Sequence, residues 1–216
     1  MDASTYKGTN VNDIIKKLPL DQFTHICNVK QLVSTLSDLL DSSAQYLQEA
    51  TPEEVKLFGM AAFYHDIGKV CVPPEILSKP GKLTLQEYRI IQSHTRFADK
   101  LFVHIRAGDI TGMTEELIPL AHDSSVYHHE WWNGKGYPYG ISGKDIPLVA
   151  RVTSICDAYD AMVNNRSYRL AHSHDYACEE IKKGAGTQFE KGLVDIFLKY
   201  EHKFNDLVLP KASVIE

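Results

Sequence analysis

The sequence predicts an all-α helical bundle formed by a single domain of 216 residues. Apolar side chains recur at helical spacing along several long segments, which is typical of amphipathic helices packed on a shared core. Helix-start signals precede two of these segments, and no convincing pair of alternating strands is present. A chain of this length can bury a sizeable core, and helical bundles often hold a site where several helices converge.

The first long helix is predicted over residues 19–41, where apolar residues follow the helical period. Thr51 begins the next helix as its N-cap, and Glu54 stands three residues later, as in a capping box. This second helix is expected to run to about Asp66 and to be ended by Gly68, because glycine readily terminates helices.

A connector rich in proline and glycine, residues 72–84, separates these helices from a third. Thr84 and Glu87 form a second predicted capping box at the start of that helix. A further helix is expected over 115–129, and residues 131–145 are predicted to be a loop because they hold four glycines and a proline. The remaining predicted helices cover 147–164, 173–183 and 190–204.

The composition excludes several classes of protein. A net charge of −5 gives no basic field that would favour binding a nucleic-acid polymer. No stretch approaches the ~18–20 apolar residues of a membrane span, and the first ten residues contain no apolar or cationic leader. The cysteines form no C-x-x-C pair and are expected to be reduced thiols, which predicts a cytoplasmic location. They are Cys27, Cys71, Cys156 and Cys178.

Histidines beside apolar residues give the strongest indication of chemistry. The chain has ten histidines, and five of them lie on or at the ends of predicted apolar helices. A lone histidine on a helix is usually structural, but four separate helices that each bring one to an apolar surface favour a shared metal site. These five are His25, His65, His94, His128 and His129.

Carboxylates accompany these imidazoles. Neighbours on a helix diverge by about 100°, so His65 and Asp66 suit two ions, with the aspartate bridging them, better than one. The alternative is that Asp66 caps the following turn and His65 is a core residue. Asp157 lies inside an otherwise apolar helix, where a buried charge must be paired or coordinated. For Asp160, one turn later, a salt bridge to an arginine is favoured.

Residues 65–69 read HDIGK, and residues 128–138 read HHEWWNGKGYP. Together these segments resemble the HD-GYP family of the HD hydrolase superfamily, and the resemblance covers about residues 25–197. It implies an all-α, metal-dependent phosphodiesterase with two or three divalent metals. The expected reaction is hydrolysis of cyclic di-GMP to linear pGpG, GMP or both. The metal ligands that the resemblance implies are His25, His65, Asp66, His94, His128, His129 and Asp157.

Asp21 leaves the number of metals open. It lies four residues before His25, so both face one side of the helix. Family members with three metals carry a glutamate here, and Asp21 is expected either to ligate a third ion or to cap the helix. The donors combine imidazole and carboxylate without thiolate, which suits iron or manganese and tolerates zinc, nickel or cobalt.

The resemblance also implies residues that contact the substrate. Lys69 is expected to reach a phosphate and to act in catalysis with Asp66. Arg166 and Arg169 are expected to grip phosphate oxygens, because the guanidinium fork suits bidentate contact. Glu130 is expected to orient one imidazole. The loop residues expected to shape the substrate mouth are Gly136, Tyr137 and Pro138. A plain surface loop is the alternative for that segment.

Some features depart from the family pattern. Asn133 stands where aspartate is usual, although an amide can still cap the turn, and Ser167 replaces a proline. The connection between His94 and His128 is longer than in the family and is expected to alter access to the site. Residues 182–189, KKGAGTQF, are interpreted as a structural cap on the site.

Two other functions compete with hydrolysis of cyclic di-GMP. One is an HD-type phosphohydrolase that acts on another nucleotide or cyclic dinucleotide. The other is a non-catalytic, metal-loaded sensor or interaction module. Because no regulatory domain is recognised in the sequence, control is expected in trans, by a diguanylate cyclase domain or another regulator, or by oligomerisation.

Overall fold

A computed structural model describes residues 2–40, 45–164, 171–205 and 207. In these ranges the regular structure is helical, and pairing between extended residues is limited to two isolated bridges. The predicted all-α class is therefore confirmed. The α-helices of the described residues are α1 (Val11–Ile15), α2 (Leu20–Leu40), α3 (Pro52–Phe63), α4 (Pro74–Leu77), α5 (Leu85–Arg106), α6 (Leu117–Tyr127), α7 (Leu148–Val163), α8 (His174–Lys183), α9 (Lys191–Lys199) and α10 (His202–Asn205).

The predicted helix starts agree closely with the structure. Both capping boxes are present: the Thr51 hydroxyl accepts from the Glu54 amide, and the Glu54 carboxylate accepts from the Thr51 amide. Thr84 and Glu87 make the same reciprocal pair at the start of α5. These bonds satisfy amide groups that a helix start otherwise leaves without partners.

The predicted end of α3 is wrong by about one turn. The α-helix stops at Phe63, and after a turn the chain continues as a 3₁₀-helix over Ile67–Cys71. Short-range bonds from Tyr64 N to Ala61 O (3.1 Å) and from His65 N to Ala62 O (3.0 Å) tighten this turn. The tightened backbone brings Gly68 directly against α5.

The core is formed where α2, α3, α5, α6 and α7 pack against one another. Every residue of α7 from Leu148 to Cys156 is buried, so this helix is surrounded rather than amphipathic. These five helices, with the turns that follow α3 and α6, carry all the histidines and carboxylates that the sequence assigns to a metal site. The bundle therefore converges on that site, as the sequence predicts.

The long connection before α6 packs against the N-terminal segment. Gly8 N donates to Asp109 O (2.7 Å), and Val11 N donates to Thr111 O (2.8 Å). Helix α1 adds Val11, Ile14 and Ile15 to the core, a contribution that the sequence did not indicate. No residue of 95–127 lines the large cavity described below, whereas Arg96 lines a smaller cavity beside it. The effect of this connection on access stays a prediction.

One further property follows from the helix lengths and compositions. Among the residues that the structure describes, no helix combines the length and the apolar character that crossing a membrane requires.

Gly68 provides a test of this packing. A Cβ atom at residue 68 would lie 1.9 Å from the His94 carbonyl oxygen and 3.0 Å from Ala98 N, both backbone atoms of α5. We expect Gly68→Ala to lower the free energy of unfolding by about 1–3 kcal/mol through overpacking, measured by urea denaturation. Lys82→Ala, at an exposed connector position, is the control and should change it by less than about 0.5 kcal/mol. Equal stability of the two variants would contradict this account.

Candidate metal centre

Three histidines are oriented by a backbone carbonyl of their own helix or turn. His65 Nδ1 lies 2.7 Å from Ala62 O, His94 Nδ1 lies 2.7 Å from Ile91 O, and His128 Nδ1 lies 2.8 Å from Ser124 O. Since a carbonyl oxygen only accepts, Nδ1 must carry the proton in each ring. Each Nε2 then offers a lone pair, which is the form that binds a metal.

His25 is oriented by a carboxylate instead. Its Nδ1 lies 2.5 Å from Asp160 Oδ2, and Asp160 Oδ1 accepts from the Asn164 side-chain amide at 2.7 Å. His25 Nε2 lies 3.0 Å from Asp157 Oδ1. Asp160 therefore orients a candidate ligand, a role that the sequence did not indicate. Its predicted partner arginine stays a prediction, because Arg166 and Arg169 lie outside the described residues.

The carboxylate of Asp66 lies at the centre of these imidazoles. Its Oδ2 is 3.2 Å from His65 Nε2 and 3.6 Å from His25 Nε2. Its Oδ1 is 3.4 Å from His94 Nε2 and 4.0 Å from His128 Nε2. The two oxygens of one buried carboxylate thus face two different pairs of imidazoles, which is the arrangement of a bridging ligand.

The candidate ligands form two groups around Asp66. In each group, the donor atoms of three residues lie within 4.8 Å of one another. One group contains His25, His65 and Asp157, and the other contains His94, His128 and His129. Seven of the eight residues predicted as ligands are therefore brought together.

Asp21 is the eighth predicted ligand, and it lies outside these groups. It is exposed in the first turn of α2, where a negative charge interacts favourably with the helix dipole. Its carboxylate accepts a hydrogen bond from Gln22 Nε2 at 3.2 Å. It lines the cavity beside the centre. A role as ligand to a third ion stays a prediction.

The buried donors fit divalent cations. Among the described residues, no hydrogen-bond partner reaches Asp66 Oδ1 or the Nε2 atoms of His65, His94 and His128, all of which are buried. A buried polar atom without a partner costs about 1–3 kcal/mol, and metal ions would satisfy these four atoms together. Imidazole and carboxylate donors without thiolate are a set that first-row divalent metals accept.

The protonation states also suit metal binding. Burial lowers the pKa of His94 to about 4 and the pKa of His129 to about 3. Burial also holds the pKa of His128 well below its usual range. Burial alone would raise the pKa of Asp66, but the Lys69 ammonium, 2.6 Å from Oδ2, helps to hold it well below the usual range. At neutral pH the second group thus offers neutral imidazoles beside an ionised carboxylate.

Lys69 lies between the centre and the cavity. Besides its contact with Asp66, its ammonium donates to Gln22 Oε1 at 3.0 Å. Gln22 is buried at the start of α2, and the sequence analysis missed it. The only signal was a polar residue beside Asp21, which is common at helix starts.

The loop after α6 folds back onto the centre. A Cβ atom at Gly136 would lie 2.3 Å from Trp131 N and 2.4 Å from His129 O, so only glycine fits there. Tyr137 N donates to His129 O (3.1 Å), and the Tyr137 ring stacks on the His129 ring with centroids 4.7 Å apart. Pro138 lines a smaller adjoining cavity.

Glu130 secures this loop rather than an imidazole. Its Oε1 accepts from Tyr139 N at 2.6 Å and from Gly140 N at 3.1 Å. The expectation that Glu130 orients a histidine is therefore wrong, because its carboxylate accepts hydrogen bonds from two backbone amides of the turn instead. Asn133 caps the turn as expected, since its Oδ1 accepts from Lys135 N at 3.0 Å.

A cavity of about 350 Å³ opens beside the centre. His25, His129 and Asp157 reach it from the two ligand groups, and Lys69 lines it as well. Tyr88 and Trp131, with 46% and 36% of their surface exposed, contribute aromatic walls that the sequence analysis missed. Gln188, from the predicted capping segment, also lines the cavity, and its carbonyl accepts from Trp132 N.

Comparisons with known proteins agree with this fold and site. Residues 23–193 match the family described as HD domain. A structure of an HDG"Y"P protein from Bdellovibrio bacteriovorus superposes with a TM-score of 0.57 at 20% identity, covering 81% of this chain and 51% of that one. The chain therefore belongs to the HD domain family, and the resemblance drawn from its motifs is confirmed.

Curated relatives carry related names. A probable cyclic di-GMP phosphodiesterase of Vibrio cholerae is 37% identical over 183 residues, or 85% of this chain and 41% of that protein. A 3'3'-cGAMP-specific phosphodiesterase of the same organism is 33% identical over 78% of this chain and 29% of that protein. The chain thus spans less than half the length of these relatives.

The Asp160–His25 contact can be tested directly. Asp160→Asn keeps the size of the side chain but removes the charge that accepts from His25 Nδ1. We expect about 10–100-fold weaker binding of Mn²⁺, measured by isothermal titration calorimetry on metal-stripped protein. Asp195→Asn is the matched control, because Asp195 is an exposed carboxylate of α9 paired with Lys191. An unchanged affinity in Asp160→Asn would show that the contact does not support metal binding.

Proposed function

We propose that this chain is a metal-dependent phosphodiesterase that hydrolyses cyclic di-GMP. The observation that carries the proposal is the buried Asp66 carboxylate, whose two oxygens face two groups of imidazoles beside an open cavity. The names of the curated relatives support this substrate class. The proposed products are linear pGpG, GMP or both.

In this proposal the two ligand groups would hold two divalent metals, and the Asp66 carboxylate, which faces both groups, would be available to each of them. Iron or manganese is proposed, because the donors are imidazoles and carboxylates without thiolate. A third ion would require Asp21. When bound, such ions supply Lewis acidity, orient a phosphodiester and activate water for attack on phosphorus.

The chain's own residues have separate tasks. The carbonyl–Nδ1 contacts hold the rings of His65, His94 and His128 in one tautomer and one orientation before substrate arrives. Lys69 lines the cavity as a cation beside Asp66, from which an ammonium can contact a phosphate oxygen and offset its charge. We propose that Arg166 and Arg169 add further phosphate contacts.

The cavity also suits the rest of a cyclic dinucleotide. Its volume of about 350 Å³ lies within the range of small-molecule sites, roughly 300–1,000 Å³. Exposed faces of Tyr88 and Trp131 can stack on purine bases, which is worth about 1–3 kcal/mol per base. Stacking tolerates either purine, so 3'3'-cGAMP, which appears in the names of other relatives, is the second candidate substrate.

The proposed setting is the cytoplasm, with control in trans by a diguanylate cyclase domain or another regulator. All four cysteines are free thiols, which accords with a reducing compartment.

The first test is hydrolysis by protein purified without oxygen and supplied with Fe(II) or Mn(II), with metal content measured on the same sample. We expect turnover of cyclic di-GMP with two or three metals per chain. Asp66→Asn should lower turnover by more than about 100-fold, because even a partner that only supports a ligand can cost that much. Asp195→Asn is the control and should retain activity.

A substrate panel of cyclic di-GMP, 3'3'-cGAMP and linear pGpG distinguishes the alternatives. Turnover of 3'3'-cGAMP alone would replace the proposed substrate with the second candidate. A full metal load without turnover of any of the three would overturn the hydrolase proposal and favour a binding role.

A further inference from the structure

One wall of the large cavity comes from a single stretch of chain, residues 76–91. This 76–91 wall includes the end of α4, the connector that follows and the start of α5. None of the candidate metal ligands belongs to it, and the function proposed above uses only its residue Tyr88. The lining residues that it contributes are Ile76, Leu77, Lys79, Leu83, Tyr88 and Ile91.

Lys79 is the cation of the 76–91 wall. Its ammonium lies 2.7 Å and 2.8 Å from the two carboxylate oxygens of Glu87, and its side chain is 33% exposed. An ammonium has three N–H donors, and among the described residues only Glu87 accepts from this one. Lys79 lines the cavity, whereas Glu87 does not. One donor thus remains for an oxygen of a molecule bound in the cavity.

Glu87 fixes this ammonium and the start of α5 together. Its Oε2 also accepts from Thr84 N at 2.7 Å, within the capping box. Helix α5 then brings Tyr88 and, three residues later on the same face, Ile91 to the cavity. The Ile91 carbonyl is the group that orients His94 at the metal centre. The wall is therefore held in a fixed position relative to one of the two ligand groups.

The metal centre and the 76–91 wall contribute different chemistry to the cavity. Lys69 and Lys79 are the two lysines among its described lining residues, and Lys69 already contacts Asp66. A cyclic dinucleotide has two phosphodiester groups and two bases, and one phosphodiester at a time can occupy the reacting position. The other nucleotide needs an apolar or aromatic surface for its base and a cation for its phosphate. The wall supplies both.

We propose that the 76–91 wall binds the half of a cyclic dinucleotide that is not being cleaved, and that the Lys79 ammonium contacts the phosphate of that half. This inference rests on the function proposed above and adds a subsite to it. Tyr88 stacks on the base, and the ammonium acts on the phosphate as a point charge. Because the contact requires a second phosphate, the wall favours cyclic dinucleotides over phosphodiesters that have only one.

Steady-state kinetics of the metal-loaded full chain test this subsite with two substrates. Cyclic di-GMP has two phosphates, and bis(p-nitrophenyl) phosphate has one. We expect Lys79→Gln to raise KM for cyclic di-GMP about 10-fold, the low end for a hydrogen bond to a charged group. A contact made equally in the ground and transition states changes KM rather than kcat. The ratio of kcat/KM for cyclic di-GMP to that for bis(p-nitrophenyl) phosphate should fall by the same factor.

Lys82→Gln is the matched control, because Lys82 is an exposed lysine of the same connector that does not line the cavity. It should leave the ratio unchanged. Glu87→Gln removes the ion pair but keeps the Lys79 ammonium, so it should change the ratio less than Lys79→Gln does. A purely structural role of the ion pair predicts equal effects of these two variants on both substrates. That result, or an unchanged ratio in Lys79→Gln, would overturn the proposal.

Failure of the proposed hydrolase function would be seen separately. If the unaltered metal-loaded protein does not hydrolyse cyclic di-GMP, the same variants are compared by equilibrium dialysis against cyclic di-GMP. Weaker binding by Lys79→Gln, with normal binding by Lys82→Gln, would support the subsite although the hydrolase proposal had failed. Absence of binding by the unaltered protein, or unchanged binding by Lys79→Gln, would overturn the subsite.

Discussion

The buried carboxylate of Asp66 is the constraint on which the rest of the structure depends. An ionised group in the interior must be paired or coordinated, and Lys69 is the nearest cation, 2.6 Å away. The other side of the carboxylate faces imidazole nitrogens that are neutral at neutral pH. Metal ions would balance this charge, so the packing of five helices around Asp66 preserves a strongly polar centre inside an apolar core.

Most of the rings at this centre are positioned locally. His65, His94 and His128 each contact a carbonyl three or four residues earlier in the chain. The helix or turn that carries each ring therefore also fixes its tautomer. His25 differs, because its partner Asp160 is 135 residues away on α7. Assembly of the centre therefore depends mainly on how the helices dock. Gly68 and Gly136, where backbones meet too closely for a side chain, are central to that docking.

Helix α7 links the centre to the core of the bundle. Every residue from Leu148 to Cys156 is buried, and the next turn carries Asp157 and Asp160, which contact the two ring nitrogens of His25. The donors around Asp66 are imidazole and carboxylate without thiolate, a set that first-row divalent metals accept. The helix surrounded by the core is thus also the element that fixes the position of one candidate ligand.

The sequence by itself determined the helical class, both capping boxes and the residues that meet at the centre. The helical class and the capping boxes depend on periodicity and on contacts within four residues, which are written in local sequence. The set of residues at the centre was implied by the resemblance of two motifs to the HD-GYP family. Tertiary structure decided the division of seven ligands into two groups about Asp66, the pairing of Asp160 with His25 and of Glu130 with the loop, and the early end of α3. It also brought Gln22 to Lys69. These features depend on which groups the packing of the helices and loops brings into contact, and local sequence does not specify that packing.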